Sequence, residues 1–246
     1  MIFLFRDVSA VCFDLYGTLI RIRTDEEDLR RLWQPLRYVY AYRRAAYGSP
    51  QALRAAYREA VEAEEAAARR RTGRDLVEIR LETVFESLFR QKGVAPTEEM
   101  TRAVGRMFRA CSTDWAEAYP GAAALLDDLR AAGKGVYLLS NAQRIFTQPE
   151  LEMTGLLGRF DDIRISSDWG VKKPDPAYFH TLLDRLDLPA HRVLMVGNSA
   201  RDDIAPARAL GLRTCYLNTD AEPVRPPCDL ALEGADYAAL RRALLG

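Results

Sequence analysis

Asp14 stands directly after the apolar run Ala10-Val11-Cys12-Phe13 and directly before Leu15-Tyr16-Gly17-Thr18-Leu19. A buried strand that ends on a carboxylate presents it at its carboxyl end, where it can attack phosphorus or a carbon bearing a leaving group. Gly17 permits a sharp turn, and the backbone N–H groups of Gly17 and Thr18, with the Thr18 hydroxyl, are placed to bind an anion beside that carboxylate. An Asp that only caps a strand-to-loop turn looks the same in isolation. Three later segments add chemistry at comparable positions. Val136-Tyr137-Leu138-Leu139 runs into Ser140 and Asn141, and Lys172-Lys173-Pro174-Asp175-Pro176 opens a helix-like stretch. Val193-Leu194-Met195-Val196 runs into Gly197, Asn198 and Ser199, followed by Asp202 and Asp203. An open parallel sheet binds ligands outside the carboxyl ends of its strands, so these groups are predicted to converge on one crevice.

The elements that must hold them alternate. Strands are predicted at 135–140, 160–166, 192–197 and 213–217, with helices near 120–132, 148–156, 176–187 and 203–210. Such alternation argues an α/β fold with a doubly wound parallel sheet. A last short strand at 229–232 and a closing helix follow the Pro223–Pro227 loop, and the apolar start, Met1 to Asp7, is expected to lead into the first strand. Between Asp14 and Ser140 lies far more chain than one crossover needs, and residues 22–115 read almost wholly as helix. They are predicted to form an inserted helical cap domain, leaving 1–21 and 116–246 as the catalytic core. Gly48-Ser49-Pro50, Thr72-Gly73 and Gly93 to Thr97 divide the cap into about four helices, with Ser49 and Thr97 as N-caps.

The four clusters, in this order, resemble the motifs of the haloacid dehalogenase superfamily of hydrolases over roughly 8–22 and 116–220. The resemblance implies a Rossmann-like core and a covalent aspartyl intermediate. It makes Asp14 the nucleophile, Thr18 and Ser140 binders of the anionic group, Lys173 the group that steadies the charge, and Asp203 the last acidic residue. Tyr16, Gly17, Asn141, Asn198, Ser199 and Asp202 then surround the substrate. A water activated by Asp203 or Asp202 would resolve the intermediate. The chain departs from the usual phosphatase pattern twice, with Tyr16 in place of a second Asp and Asn198 where many relatives have Asp.

An alkoxide must be protonated as it leaves, which is the task of the missing second carboxylic acid, whereas a halide needs no proton. Asn198 also removes one negative ligand from a Mg²⁺ site, leaving Asp14, the Tyr16 carbonyl, one of Asp202 or Asp203, and waters as its oxygen donors. The motif Asp-Leu-Tyr-Gly-Thr is similar to that of L-2-haloacid dehalogenases, but those enzymes carry a Tyr where this chain has Phe179. They also use a cap arginine, for which Arg37, Arg43 and Arg44 are all candidates. The reading places dehalogenation of a small 2-haloacid first, Mg²⁺-dependent hydrolysis of small phosphate esters close behind, and a catalytically weak binding module third.

Composition excludes other classes. Over 246 residues, Lys plus Arg equals Asp plus Glu at 35 each, and no basic stripe suited to nucleic acid is present. Arg69-Arg70-Arg71 beside Glu62, Glu64 and Glu65 is expected to be a salt-bridged helix face. The four cysteines are widely separated and form no zinc motif; Cys12 and Cys215 are expected to be buried, as in a reducing cytoplasm. His180 and His191 lie outside the clusters, so a Ser/His/Asp triad is not expected. No apolar run approaches the about 20 residues that span a bilayer, and the N-terminus is not read as a signal peptide. The expectation is a cytoplasmic monomer or homodimer acting on a small organic anion, with neither membrane nor nucleic acid as partner. The aromatic series Trp33, Tyr38, Tyr40, Tyr42 and Tyr47 is expected mainly to pack the cap, with one or two rings free to line a substrate pocket.

Overall fold

The structure, a computed structural model, describes residues 4–246. Its strands are β1 (Ala10–Phe13), β2 (Ile20–Thr24), β3 (Thr113–Ala118), β4 (Gly135–Ser140), β5 (Asp162–Ile165), β6 (Val193–Gly197), β7 (Arg213–Asn218) and β8 (Leu230–Glu233). Helices α1 (Gln34–Tyr42), α2 (Pro50–Thr72), α3 (Leu81–Arg90) and α4 (Glu98–Ser112) precede β3. Helices α5 (Ala122–Ala131), α6 (Arg144–Met153), α7 (Ser166–Trp169), α8 (Pro176–Leu186), α9 (Ala205–Ala209) and α10 (Tyr237–Leu245) follow it. Contacts divide the chain into two units, one of Met1–Ile22, Ala116–Ala142 and Glu150–Gly246, the other of Arg23–Trp115 and Gln143–Pro149.

The first unit is built on a six-stranded sheet in the order β5-β4-β1-β6-β7-β8, parallel throughout. A strand with both faces covered must be apolar on both, and β1 is buried at all its positions. One face packs Val11, Phe13, Val136 and Val196 against Leu125 and Leu126 of α5 and Leu240 of α10. The other packs Cys12, Leu139 and Met195 against Tyr178, Phe179 and Leu182 of α8. Each fully buried Leu or Phe here is worth about 1.5–3 kcal/mol in area removed from water. Phe13 is level with Leu138 on one side and Val196 on the other. That register brings Asp14, Ser140 and Asn198 to the same edge of the sheet.

The second unit has an aromatic core. Trp33, Tyr40, Tyr47, Tyr57, Phe85 and Phe108 are buried, with Trp33 and Phe108 edge-to-face at 5.7 Å between ring centroids. Ser49 and Thr97 do cap their helices, accepting from the Ala52 and Met100 N–H groups. In the series read as a possible pocket lining, Trp33, Tyr40 and Tyr47 are core, while Tyr38 and Tyr42 are exposed. The basic run behaves as expected at Arg69, which pairs with Glu65 at 2.7 Å.

Four details differ from expectation. Residues 4–7 form a turn rather than the start of β1, and residues 1–3 lie outside the described part. Residues 143–149 group with the helical unit instead of the core, because Phe146 stacks on Phe108 at 5.8 Å and Gln143 hydrogen-bonds Glu78 and the Ile79 carbonyl. β2 and β3 form a separate two-stranded sheet within stretches read as loop and helix. The helix expected at 203–210 opens with a π-helical turn, Ala200–Ile204, before α9. Among the described residues no helix is long and apolar enough to cross a membrane.

Candidate active site

Asp14 leaves β1 with its N–H held by the Val196 carbonyl at 2.9 Å. The chain turns at Gly17, whose φ of 81° lies in the left-handed region and where a Cβ would overlap the Asn198 side chain. The sequence-predicted anion cradle is only partly present. The Gly17 N–H donates to Ile20 O and the Thr18 N–H to Leu15 O, so both amides are spent closing the turn. Thr18 is fully buried and its hydroxyl donates to Asn198 Oδ1 at 3.2 Å. A turn this tight satisfies its own donors first.

Lys173 is the centre of the charge arrangement. Its Nζ lies 2.7 Å from Asp14 Oδ1 and 2.7 Å from Asp203 Oδ1, with the Lys side chain 2% exposed. Burial alone would lower its pKa, but the two carboxylates outweigh that and leave it raised, so the ammonium persists across physiological pH. Asn141 fixes this lysine from behind: its Oδ1 accepts from the Lys173 N–H at 2.8 Å and its Nδ2 donates to the Lys173 carbonyl at 2.9 Å. Asn141, expected to touch substrate, thus spends its polar atoms on the lysine backbone.

Asp203 lies on the turn Ala200–Ile204 that follows β6, its Oδ2 accepting from the Ser199 N–H at 2.9 Å. Gly197 makes this approach possible, since a Cβ there would overlap the carboxylate. Burial raises the Asp203 pKa to about 6, with Lys173 and the Ser199 N–H opposing and Asp14 adding to the rise. Ser199 caps the turn by accepting from the Asp202 N–H at 3.0 Å. A cavity of about 200 Å³ is bounded by Asp14, Tyr16, Asn141, Lys173, Asn198, Ser199, Asp202 and Asp203.

Gly17, Thr18 and Ser140 do not line that cavity. Ser140 closes the adjacent strand end with a buried hydroxyl that has no hydrogen-bond partner. Its carbonyl accepts from the Tyr178 hydroxyl at 2.8 Å, which fixes Tyr178 in the core beside the buried Phe179. Three neighbours of the predicted site residues escaped sequence reasoning. Tyr16 donates its hydroxyl to Glu150, buried on α6, and Asn198 Nδ2 donates to Asp220 Oδ2 at 2.7 Å. Thr219 donates to Gly17 O at 2.6 Å. No local signal marks any of them, because the partners come from distant loops.

Cys12 and Cys215 are buried and all four cysteines are free. His180 is exposed beside Asp184 and His191 is exposed. In the helical unit Arg37 lies over the Tyr38 ring and Arg43 beside Tyr42, while Arg44 adopts a φ of 68°. Among the described residues no three His, Cys, Asp or Glu side chains are grouped to hold a metal unaided.

The family model of haloacid dehalogenase-like hydrolases matches residues 8–211. The chain belongs to this family. Its core is Rossmann-like, as the resemblance implied. It is 35% identical over 135 residues to the pyrimidine 5'-nucleotidase YjjG of Escherichia coli, covering 54% of this chain and 57% of that protein. The chain spans about half the length of the curated relatives it matches. Among solved structures it is similar to a 2-haloacid dehalogenase from Pseudomonas syringae, at a TM-score of 0.64 and 19% identity, covering 96% and 97% of the two chains. It is also similar to the HAD-hydrolase YfnB of Bacillus subtilis bound to magnesium, at a TM-score of 0.57 and 21% identity, covering 97% and 99%. At these identities the structural likeness is one of fold.

Proposed function

We propose that the chain hydrolyses small phosphate monoesters through a phosphoryl group held transiently on Asp14. The observation that carries this reading is the charge of the crevice. Asp14, Asp202 and Asp203 line it against the single ammonium of Lys173, which already bridges two of them. An anionic substrate needs further positive charge there, and hard carboxylate and carbonyl oxygens suit Mg²⁺, which keeps several waters and often binds through only one or two carboxylates. Asp14, Asp202 and the Tyr16 carbonyl would hold it, leaving Asp203 to act as base. When bound, the ion offsets the repulsion between carboxylate and phosphate.

Asp14 attacks phosphorus and the ester oxygen departs with the bonding pair. A water then attacks the phosphoryl group, giving its proton to Asp203, whose raised pKa suits a base working near neutrality. Tyr16 directs its proton to Glu150, so the departing oxygen takes its proton from water and good leaving groups are favoured. The nucleotidase relative supports phosphate chemistry, and the burial of Tyr178 and Phe179 weakens the case for halide chemistry.

Dehalogenation of a small 2-haloacid is the second reading, and Tyr16 within Asp-Leu-Tyr-Gly-Thr is the observation that favours it. The test is phosphate release from p-nitrophenyl phosphate and from a sugar phosphate with and without Mg²⁺, beside halide release from L-2-chloropropionate with EDTA. Mg²⁺-dependent release, faster from the nitrophenyl ester, is expected. Halide release without phosphate release would favour the second reading. Single turnover in heavy-oxygen water separates them further: an acyl phosphate opened at phosphorus leaves Asp14 unlabelled, whereas an alkyl ester opened at the Asp14 carbonyl labels it.

A further inference from the structure

We propose that Asp220, in the loop between β7 and β8, is a positioning residue for the nucleophile turn and acts through Asn198. The inference rests on the reading of Asp14 as nucleophile. Asn198 has a hydroxyl donor on one side and a carboxylate on the other, with Thr18 Oγ1 at 3.2 Å from its Oδ1 and Asp220 Oδ2 at 2.7 Å from its Nδ2. Only one orientation of an amide satisfies both neighbours, so Asp220 fixes which way Asn198 faces. The oriented amide fills the space beside Gly17 where a Cβ would sit, and Thr219 holds the Gly17 carbonyl from the same loop at 2.6 Å. The β7–β8 loop, the end of β6 and the turn after Asp14 are thereby tied at three points.

This also gives a physical meaning to Asn198. A carboxylate at position 198 could still accept from Thr18 but would face Asp220 as a like charge, so asparagine at 198 and aspartate at 220 are matched. Restoring Asp at 198 alone therefore loosens the turn, and changing position 220 to an amide donor repairs it. Misplacing a reacting group by about 1 Å costs on the order of 10²-fold in rate.

The test compares wild type, Asp220→Ala, Asn198→Asp and the double variant Asn198→Asp/Asp220→Asn by thermal unfolding and by kcat and KM on p-nitrophenyl phosphate. Asp220→Ala should lower kcat about 10-fold or more while KM stays within about twofold, since the turn, not substrate affinity, is affected. Asn198→Asp should lower Tm by roughly 2–4 °C, and the double variant should recover most of that loss. Additive losses, or a wild-type kcat for Asp220→Ala, overturn the proposal. The melting cycle needs no substrate, so absence of turnover in wild type would count against the phosphatase reading while the coupling of 198 with 220 is still decided.

Discussion

Replacing Lys173 by Met removes the only cation between two carboxylates and keeps the side-chain volume nearly constant. Asp14 and Asp203 each hold one oxygen 2.7 Å from Nζ, and the lysine side chain is 2% exposed, so solvent cannot substitute for the ammonium. Deleting one partner of a buried ion pair costs about 3–5 kcal/mol. For a chain of this length that corresponds to a fall in Tm of roughly 6–20 °C. The loss must depend on pH. With Lys173 gone, its lowering effect on Asp203 disappears, so this carboxyl rises above its wild-type value of about 6 and protonation stabilises the fold. The gap between wild type and Lys173→Met, measured by urea unfolding from pH 8 to pH 5, should therefore narrow as pH falls. A gap below about 1 kcal/mol, or one constant across that range, would refute the view of Lys173 as the buried counter-ion of both carboxylates.

If Asp203 takes the proton from the attacking water, the turnover rate should fall as pH drops below about 6, with the slope of a single ionisation. Its effect on stability has the opposite sign. The folded pKa exceeds the unfolded one of 3.8, so this group's stabilising contribution is fully present below the unfolded value and is lost as pH rises through about 6. Gly197→Ala places a Cβ against the Asp203 carboxylate and should lower turnover by on the order of 10²-fold, with Asp14 adduct accumulating if resolution of the intermediate is the step affected. Equal turnover for Gly197→Ala and wild type would remove Asp203 from the mechanism.

The sheet was legible in the sequence because parallel strands covered on both faces must be apolar throughout, and β1, β4, β6 and β7 each read as such runs. The edge positions followed, since Asp14, Ser140 and Asn198 lie at strand ends and a parallel sheet aligns those ends. β2 and β3 were not legible: Arg21 and Arg23 alternate with Ile20 and Ile22, and the pairing is with residues almost a hundred positions later. Within the site, Lys173 and Asp203 were readable as charges, but what their neighbours do was not. Asn141 looked like a substrate contact and instead clamps the lysine backbone. The Gly17 and Thr18 amides looked available and are consumed by the turn. Glu150 and Asp220 carry no local signature, since their partners Tyr16 and Asn198 are separated from them by 134 and 22 residues.

The most direct measurement of the central claim is mass spectrometry of the chain quenched during turnover of p-nitrophenyl phosphate with Mg²⁺. A single phosphoryl group on the peptide containing Asp14, absent from Asp14→Asn together with all turnover, is the expected result. Turnover by Asp14→Asn, or an adduct mapped to any other residue, would contradict it.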